Sequence, residues 1–343
     1  MSKRCLATLT LLSVLTLPVA AQAPRSVDQA ELLQRRRDAE RLTRQAQEET
    51  PESVPAISPE EAFDVGPQYI LKTRERHRWF EVGFDSQYSW TDNMFFEERD
   101  SGHTVSSTVL TSAARLTLET PAWSVASGKM AARAGYNHIW MNYALTGQKL
   151  DPLTGFRKSD NDFDAPSLFG ELSQTWEHWQ ATVGADWLRL LSHQPTYGSY
   201  DQFYRDYAIR WSLTRTIELG TSHSLLAGYL GSRHFTGVDP SIPGLNDRSR
   251  NDRTDHTLLL GYTYKITQRL ALQPSYRLQF SGYDEAGRQD LLHSFNGSLV
   301  FGLNRWLFVR TYGGYEIRES NDTLVSDYRK WDLGVSLGAT LRF

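Results

Sequence analysis

The side chains best suited by type to do chemistry are His293 and Ser294, in the stretch HSFNG from 293 to 297. A histidine beside a serine hydroxyl can form a base and nucleophile only if the two come within hydrogen-bond reach. On a strand they do not, because neighbouring side chains leave opposite faces of the sheet. His293 shares an apolar face with Leu291 and Phe295, Ser294 lies on the other face, and the position two after His293 is Phe295, which has no nucleophile. The nine histidines, among them His103, His138, His178 and His234, lack metal-ligand spacing. Two acidic stretches, Asn161 to Asp164 and Asn246 to Asp255, include basic residues or lack the ligand spacing of a calcium loop, so they read as solvated loops. The single cysteine, Cys5, falls in an N-terminal segment expected to be removed. No catalytic residue, metal site or cofactor is expected, and the protein does not read as an enzyme.

What remains is a large set of charged residues that share one face with small polar ones. Arg115, Lys129, Arg133, Arg210, Lys265, Arg277, Arg310, Arg318, Lys330 and Arg342 are set against Glu81, Asp85, Glu119, Glu171, Asp186, Asp206, Glu316 and Asp332. Each stands in a segment where apolar residues take the alternate positions. Phe80, Val82, Phe84, Tyr88 and Trp90 oppose Glu81, Gly83, Asp85, Gln87 and Ser89, and Ala181, Val183, Ala185 and Trp187 form a similar row. At the end of the chain Trp331, Leu333, Val335, Leu337, Ala339, Leu341 and Phe343 alternate with Asp332, Gly334, Ser336, Gly338, Thr340 and Arg342. A period of two marks strands with one apolar and one polar face. Twelve such strands can be counted from 78 to 343, the least clear around 223 to 233, where Leu225 and Leu226 fall on opposite faces.

The connections between these strands alternate in length. Asp92 to His103, Thr146 to Pro166, His193 to Ser199, Thr236 to Asp252, Gly282 to Gln289 and Glu319 to Asp327 are the longer set, and they are separated by short turns. A soluble sandwich has no reason to keep that rule. A closed antiparallel barrel in a bacterial outer membrane does, with short periplasmic turns, longer external loops and an even number of strands. Hydrophobic content of 40% with mean hydropathy −0.49, beside 12% aromatic residues, fits strands whose alternate residues meet lipid and water.

The N-terminal part has another character. Lys3 and Arg4 precede an apolar run from Leu6 to Leu17 and the small residues of PVAAQA, so residues 1–23 read as a signal peptide for export. Without Lys3 and Arg4, 35 of the 37 basic residues face 40 acidic ones, a net charge of −5 that does not recommend nucleic acid as a partner. Residues 24–50 read as a periplasmic helix with a thin apolar stripe at Val27, Ala30, Leu32, Leu33, Ala39, Leu42 and Ala46. That stripe leaves two readings open: a solvated helix, or one that self-associates or docks on a periplasmic protein partner through 27–49. Residues 51–77, with four prolines in TPESVPAISPEEAFDVGPQ, read as an extended linker.

The region 78–343 resembles the outer-membrane β-barrel superfamily of Gram-negative bacteria. Its last strand, with Trp331, Leu333, Val335, Leu337, Leu341 and the terminal Phe343, is similar to the assembly signal of that superfamily, so the resemblance implies the barrel-insertion machinery and outer-membrane lipid as partners. HSFNG is also similar to the His-x-Ser-Asn-Gly signature of outer-membrane phospholipase A, but its histidine and serine are adjacent instead of two apart. A helix, a linker and twelve strands are similar in layout to the exporters of functional amyloid, in which a linker element plugs the pore. The mixed charges of the barrel interior suit a narrow small-solute channel with a slight bias toward anions, or a closed interior that pairs its own charges. The first reading makes the protein a channel; the alternative is a structural or export-associated barrel whose N-terminal segment plugs the pore or docks on a partner. Candidate pore-lining residues are Arg115, Lys129, Arg133, Glu171, Asp186, Asp206, Arg210, Arg277, Arg310, Glu316 and Arg318.

Overall fold

The computed structural model describes residues 28–30, 32–33, 77–98, 104–125, 128–145, 157–192, 201–238, 251–284, 287–304, 306–323 and 325–343. The expected signal peptide, most of the expected helix and the linker up to residue 76 lie outside them.

Strands follow one another along the chain: β1 (Phe80–Thr91), β2 (Ser107–Glu119), a three-residue β3 (Trp123–Val125), β4 (Gly128–Tyr143), β5 (Phe163–Trp176), β6 (Trp179–Ser192), β7 (Asp201–Glu218), β8 (His223–Val238), β9 (Arg253–Lys265), β10 (Leu270–Tyr283), β11 (Gln289–Gly302), β12 (Leu307–Ser320) and β13 (Tyr328–Arg342). Each long strand pairs antiparallel with its sequence neighbours, β2 pairs directly with β4, and β1 pairs with both β2 and β13. Twelve long strands therefore close on themselves, while β3 is a short addition beside the start of β4. The seam is completed by the chain's last residue: Phe343 N–H donates to the Phe80 carbonyl at 2.9 Å, and Phe80 N–H donates back at 3.3 Å. Closure has a simple cause, since hydrocarbon offers no partner for a backbone group left on an open edge.

The turns at one end are short. Glu177 and His178 alone join β5 to β6, and Gly220, with φ +88°, turns the chain between β7 and β8. The segments 92–106, 144–162, 193–200, 239–252, 284–288 and 321–327 all connect strands at the opposite end, the one that loop length assigns as external. The doubtful segment near 223–233 is an unbroken part of β8, which explains why Leu225 and Leu226 part company: one faces out and the other lines the interior.

Register sets one departure from simple alternation. Phe203 belongs by parity to the outward row of Tyr207, Ile209 and Trp211, yet it is buried. Leu190 pairs with Tyr204 while Leu191 pairs with Gln202, so Phe203 is the extra residue of a β-bulge and packs inward, its ring 6.2 Å from that of Phe163.

The interior is also less uniformly polar than the charge pattern predicts. Towards the external end Val109, Ile139, Met141, Tyr143, Phe163, Leu188, Leu190 and Tyr204 point inward as one apolar cluster. The helical residues at 28–30 and 32–33 lie inside the barrel against this cluster, with Ala30 and Leu33 buried in it. For these residues the solvated helix does not hold, because Ala30 and Leu33 are covered by the barrel wall.

Candidate functional site

The interior wall is built from cross-strand charge pairs. Arg210 on β7 and Asp186 on β6 make two contacts, Nη2 to Oδ1 at 2.6 Å and Nε to Oδ2 at 2.5 Å. Arg133 on β4 lies between Glu119 of β2 (3.3 Å) and Glu171 of β5 (3.6 Å). Lys330 bridges Asp332 (2.9 Å) and Glu316 (3.7 Å), Glu316 also accepts from Ser294 Oγ at 3.3 Å, and Arg342 reaches Glu81 at 3.0 Å. Asp206 meets His234 Nδ1 at 2.8 Å. Arg115 faces inward on β2, half-buried, and Lys129 stands exposed at the mouth that carries the short turns. Arg277 donates to Gln279 at 2.9 Å; Arg310 places its guanidinium 5.7 Å from the Tyr312 ring, and its buried Nε has no hydrogen-bond partner. Two further inward pairs, Arg253 with Asp255 and Arg288 with Asp290, lie outside the sequence-derived set. Their spacing of two along the chain was a usable signal, since opposite charges two apart on a strand share a face.

Arg318 has the most consequential partner. Its Nη1 donates to Asp28 Oδ1, joining the external end of β12 to the helical segment inside the barrel, and both side chains are 3% exposed. Its Nη2 donates to the Ser326 carbonyl at 2.9 Å, and the Tyr328 ring lies 4.5 Å away. Beneath this contact is a cavity of about 250 Å³. Leu32 and Leu33 roof it, together with Met94 and Phe96 of the first external loop, which turns inward through a positive φ of 57° at Phe96. Its lower walls carry Gln87, Ser89, Gln273, Ser275, Asn296 and Ser298, besides Arg277 and Arg310. Tyr312, whose hydroxyl accepts a hydrogen bond from Gln87 Nε2, lies over Gly334, where a Cβ would come within 2.7 Å of its ring.

The outer surface is the reverse of this wall. Phe80, Val82, Phe84, Leu116, Val183, Ile209, Leu258, Phe295 and many others are large, apolar and exposed on every strand face that looks away from the lumen. Trp331, Leu333, Val335, Leu337, Leu341 and Phe343 continue this face along β13. A closed barrel with so continuous an apolar exterior is stable only against lipid. This is a transmembrane β-barrel. The external histidines serve its surface: Tyr136 with His138 (2.8 Å), Tyr229 with His256 (2.7 Å) and Tyr276 with His293 (2.9 Å) pair polar atoms on the outward side.

No family model matches the chain, and no curated protein does. Among solved structures the barrel is similar to the β-domain of the Bordetella autotransporter BrkA (13% identity, TM-score 0.41, 76% of this chain and 99% of that one). It is also similar to an outer-membrane channel from Pseudomonas putida F1 (10%, 0.48, 78% and 96%) and to the channel DcaP of Acinetobacter baumannii (11%, 0.38, 76% and 97%). These likenesses are too distant to bear on solute or partner.

Two constellations have the residue types of catalysis. His293 is on the outer face with Tyr276, whereas Ser294 is buried inside beside Glu316, so the barrel wall separates them. Ser232 Oγ lies 2.9 Å from His234 Nε2, whose other nitrogen meets Asp206, an order that resembles a hydrolytic triad. All three are buried, none lines the cavity, and Asp255 also approaches Nε2 at 3.2 Å, so no substrate has room at the hydroxyl. Among the described residues no group of three or more histidines, cysteines and carboxylates is arranged to hold a metal ion. In the first acidic stretch Asp162 accepts from the Tyr143 N–H at 2.6 Å, a structural use of its oxygen; part of the second lies outside the described residues.

Proposed function

We propose that the protein is a narrow small-solute channel of the outer membrane, held closed at rest by its own N-terminal segment. The observation that supports this is a cavity in the lumen with a polar lower wall, Leu32 and Leu33 across its external side, and Asp28 bound to Arg318. A barrel needing only to be a scaffold would gain more by filling that space with side chains, as smaller barrels do. The volume falls just below the roughly 300–1,000 Å³ of typical small-molecule pockets, which suits single small solutes in file.

The described residues of the segment dock by packing and by the contact of Asp28 with Arg318, and leave the strand ladder unbroken. Deleting residues 24–50 from the mature chain is therefore expected to preserve the heat-dependent mobility shift of a closed barrel and to raise its conductance in planar bilayers. A deleted barrel that keeps the shift but conducts no better than the full chain would overturn the plugged-channel reading. Loss of crosslinking to a periplasmic protein, with conductance unchanged, would point instead to the docking role.

A further inference from the structure

The wall from β10 to β12 presents arginines at successive depths of the lumen. Arg318 stands near the external end of β12 with Arg288 just before β11, Arg277 is in the middle of β10, and Arg310 lies near the periplasmic end of β12. The outermost position already holds a carboxylate. Asp28 takes one nitrogen of Arg318, while the Ser326 carbonyl and the Tyr328 ring hold the rest of the guanidinium in place. Those two supports belong to the barrel, so the fork stays aimed at the same spot when Asp28 leaves it.

Arg310 supplies an independent observation. It is 8% exposed, it lines the cavity, and its Nε has no acceptor. A buried donor without a partner is costly, and an anion in the cavity removes that cost. The acids that share the cavity, Glu316 and Asp332, are both engaged by Lys330. The fork of a guanidinium matches the two oxygens of a carboxylate better than it matches a spherical ion. Between the upper and lower arginines the wall is lined by amides and hydroxyls at Gln87, Ser89, Gln273, Ser275, Asn296 and Ser298, a surface that accommodates a hydroxylated acid at less desolvation cost than an apolar wall would.

Resting on the reading that residues 28–30, 32 and 33 close the channel, we infer that the lumen binds and passes small hydroxylated carboxylates, and that Asp28 occupies the entrance site which such a solute takes over. The carboxylate of the solute replaces the carboxylate of the segment on Arg318, so binding and opening are one exchange. A neutral sugar of equal size has nothing to offer Arg318 and leaves the segment where it is.

Swelling of proteoliposomes containing the full mature chain, driven by gluconate or by glucose, tests this directly. Gluconate is expected to enter on the order of tenfold faster than glucose, because only it shifts the closed population. Asp28→Asn is expected to admit glucose as well, narrowing that ratio, and Arg310→Gln to slow gluconate several-fold while leaving glucose entry in the Asp28→Asn background unchanged. Arg310→Lys, which keeps the charge but loses the fork, serves if the glutamine variant does not assemble, and it is expected to fall between. Equal rates for the two solutes in the full chain, or no effect of either Arg310 variant on gluconate, would overturn the inference. The underlying reading fails separately: if deletion of 24–50 raises the entry of both solutes but shows no preference, the segment is a plug and the carboxylate site is wrong; if deletion changes neither, both are wrong.

Discussion

Leu33→Ala is the sharpest perturbation of the closed state. Leu33 is 1% exposed and packs with Ala30 into the apolar cluster of Ile139, Met141, Leu188 and Leu190, while it also borders the cavity. A buried leucine cut to alanine costs about 2–5 kcal/mol, and a site that borders open space can relax toward the lower half of that range, about 2–3 kcal/mol. At about 1.4 kcal/mol per factor of ten, the ratio of open to closed channels should rise roughly 30- to 140-fold. Single-channel recording in planar bilayers measures that ratio, and the heat-dependent gel shift verifies that the barrel is intact. Leu32, only partly buried, provides the comparison: Leu32→Ala should raise the ratio much less. An intact Leu33→Ala barrel with the open fraction of the wild type would refute the packing argument, because no other change in the variant could hold the segment in place.

Three further outcomes follow from the geometry. Burial pushes the Asp162 carboxyl up to about 6, with the charges of Asp160 and Asp164 adding to it and the Tyr143 N–H opposing. A carboxyl whose folded pKa is raised costs stability as pH rises from the unfolded value of 3.8 to the folded one, so Asp162→Asn, which keeps an acceptor for Tyr143, should melt higher than wild type above pH 6, with the advantage gone below about pH 4. Arg210→Met leaves Asp186 facing inward without its bidentate partner and should cost about 3 kcal/mol in micelle unfolding, while the double variant with Asp186→Leu should recover most of it. Phe343→Ser should lower outer-membrane abundance several-fold more than Phe301→Ser; equal losses in cell fractionation would mean that Phe343 contributes lipid-face hydrophobicity alone, since both side chains are exposed on the apolar exterior.

Much of this architecture is legible in the sequence because a bilayer enforces a strict code. Every strand must be apolar on one face, as β13 is from Trp331 to Leu341, and turn length separates the two ends of the barrel. The code weakens where lipid stops dictating it. Ile139, Met141, Leu188 and Leu190 are apolar on the inward phase, and alternation alone reads such residues as noise in a strand whose other face is also apolar. Phe203 is misassigned by parity because a bulge shifts the phase without leaving a mark in composition. The partners of the charged residues depend on register, which alternation does not give: Arg210 finds Asp186 only because Gly184 and not its neighbour lies directly across from it. The stripe of Ala30, Leu32 and Leu33 is too thin to say what covers it, and only the arrangement of the barrel's upper interior supplies the answer.

The seam between β1 and β13 carries a consequence for biogenesis. Glu81 and Arg342, which meet there, are 261 residues apart in the chain, so the ring closes through contacts between its two sequence extremes. The hydrogen-bonding edge of β1 toward β13 waits unpaired while every other hairpin can already form, and loop-closure entropy opposes the final step. A chaperone that shields one exposed strand edge during transit would therefore protect this protein more than one that shields apolar side chains in general. Chains that stop short of β13 should accumulate as open sheets and be cleared by proteases, so the quality of the last strand acts as a checkpoint on the whole molecule.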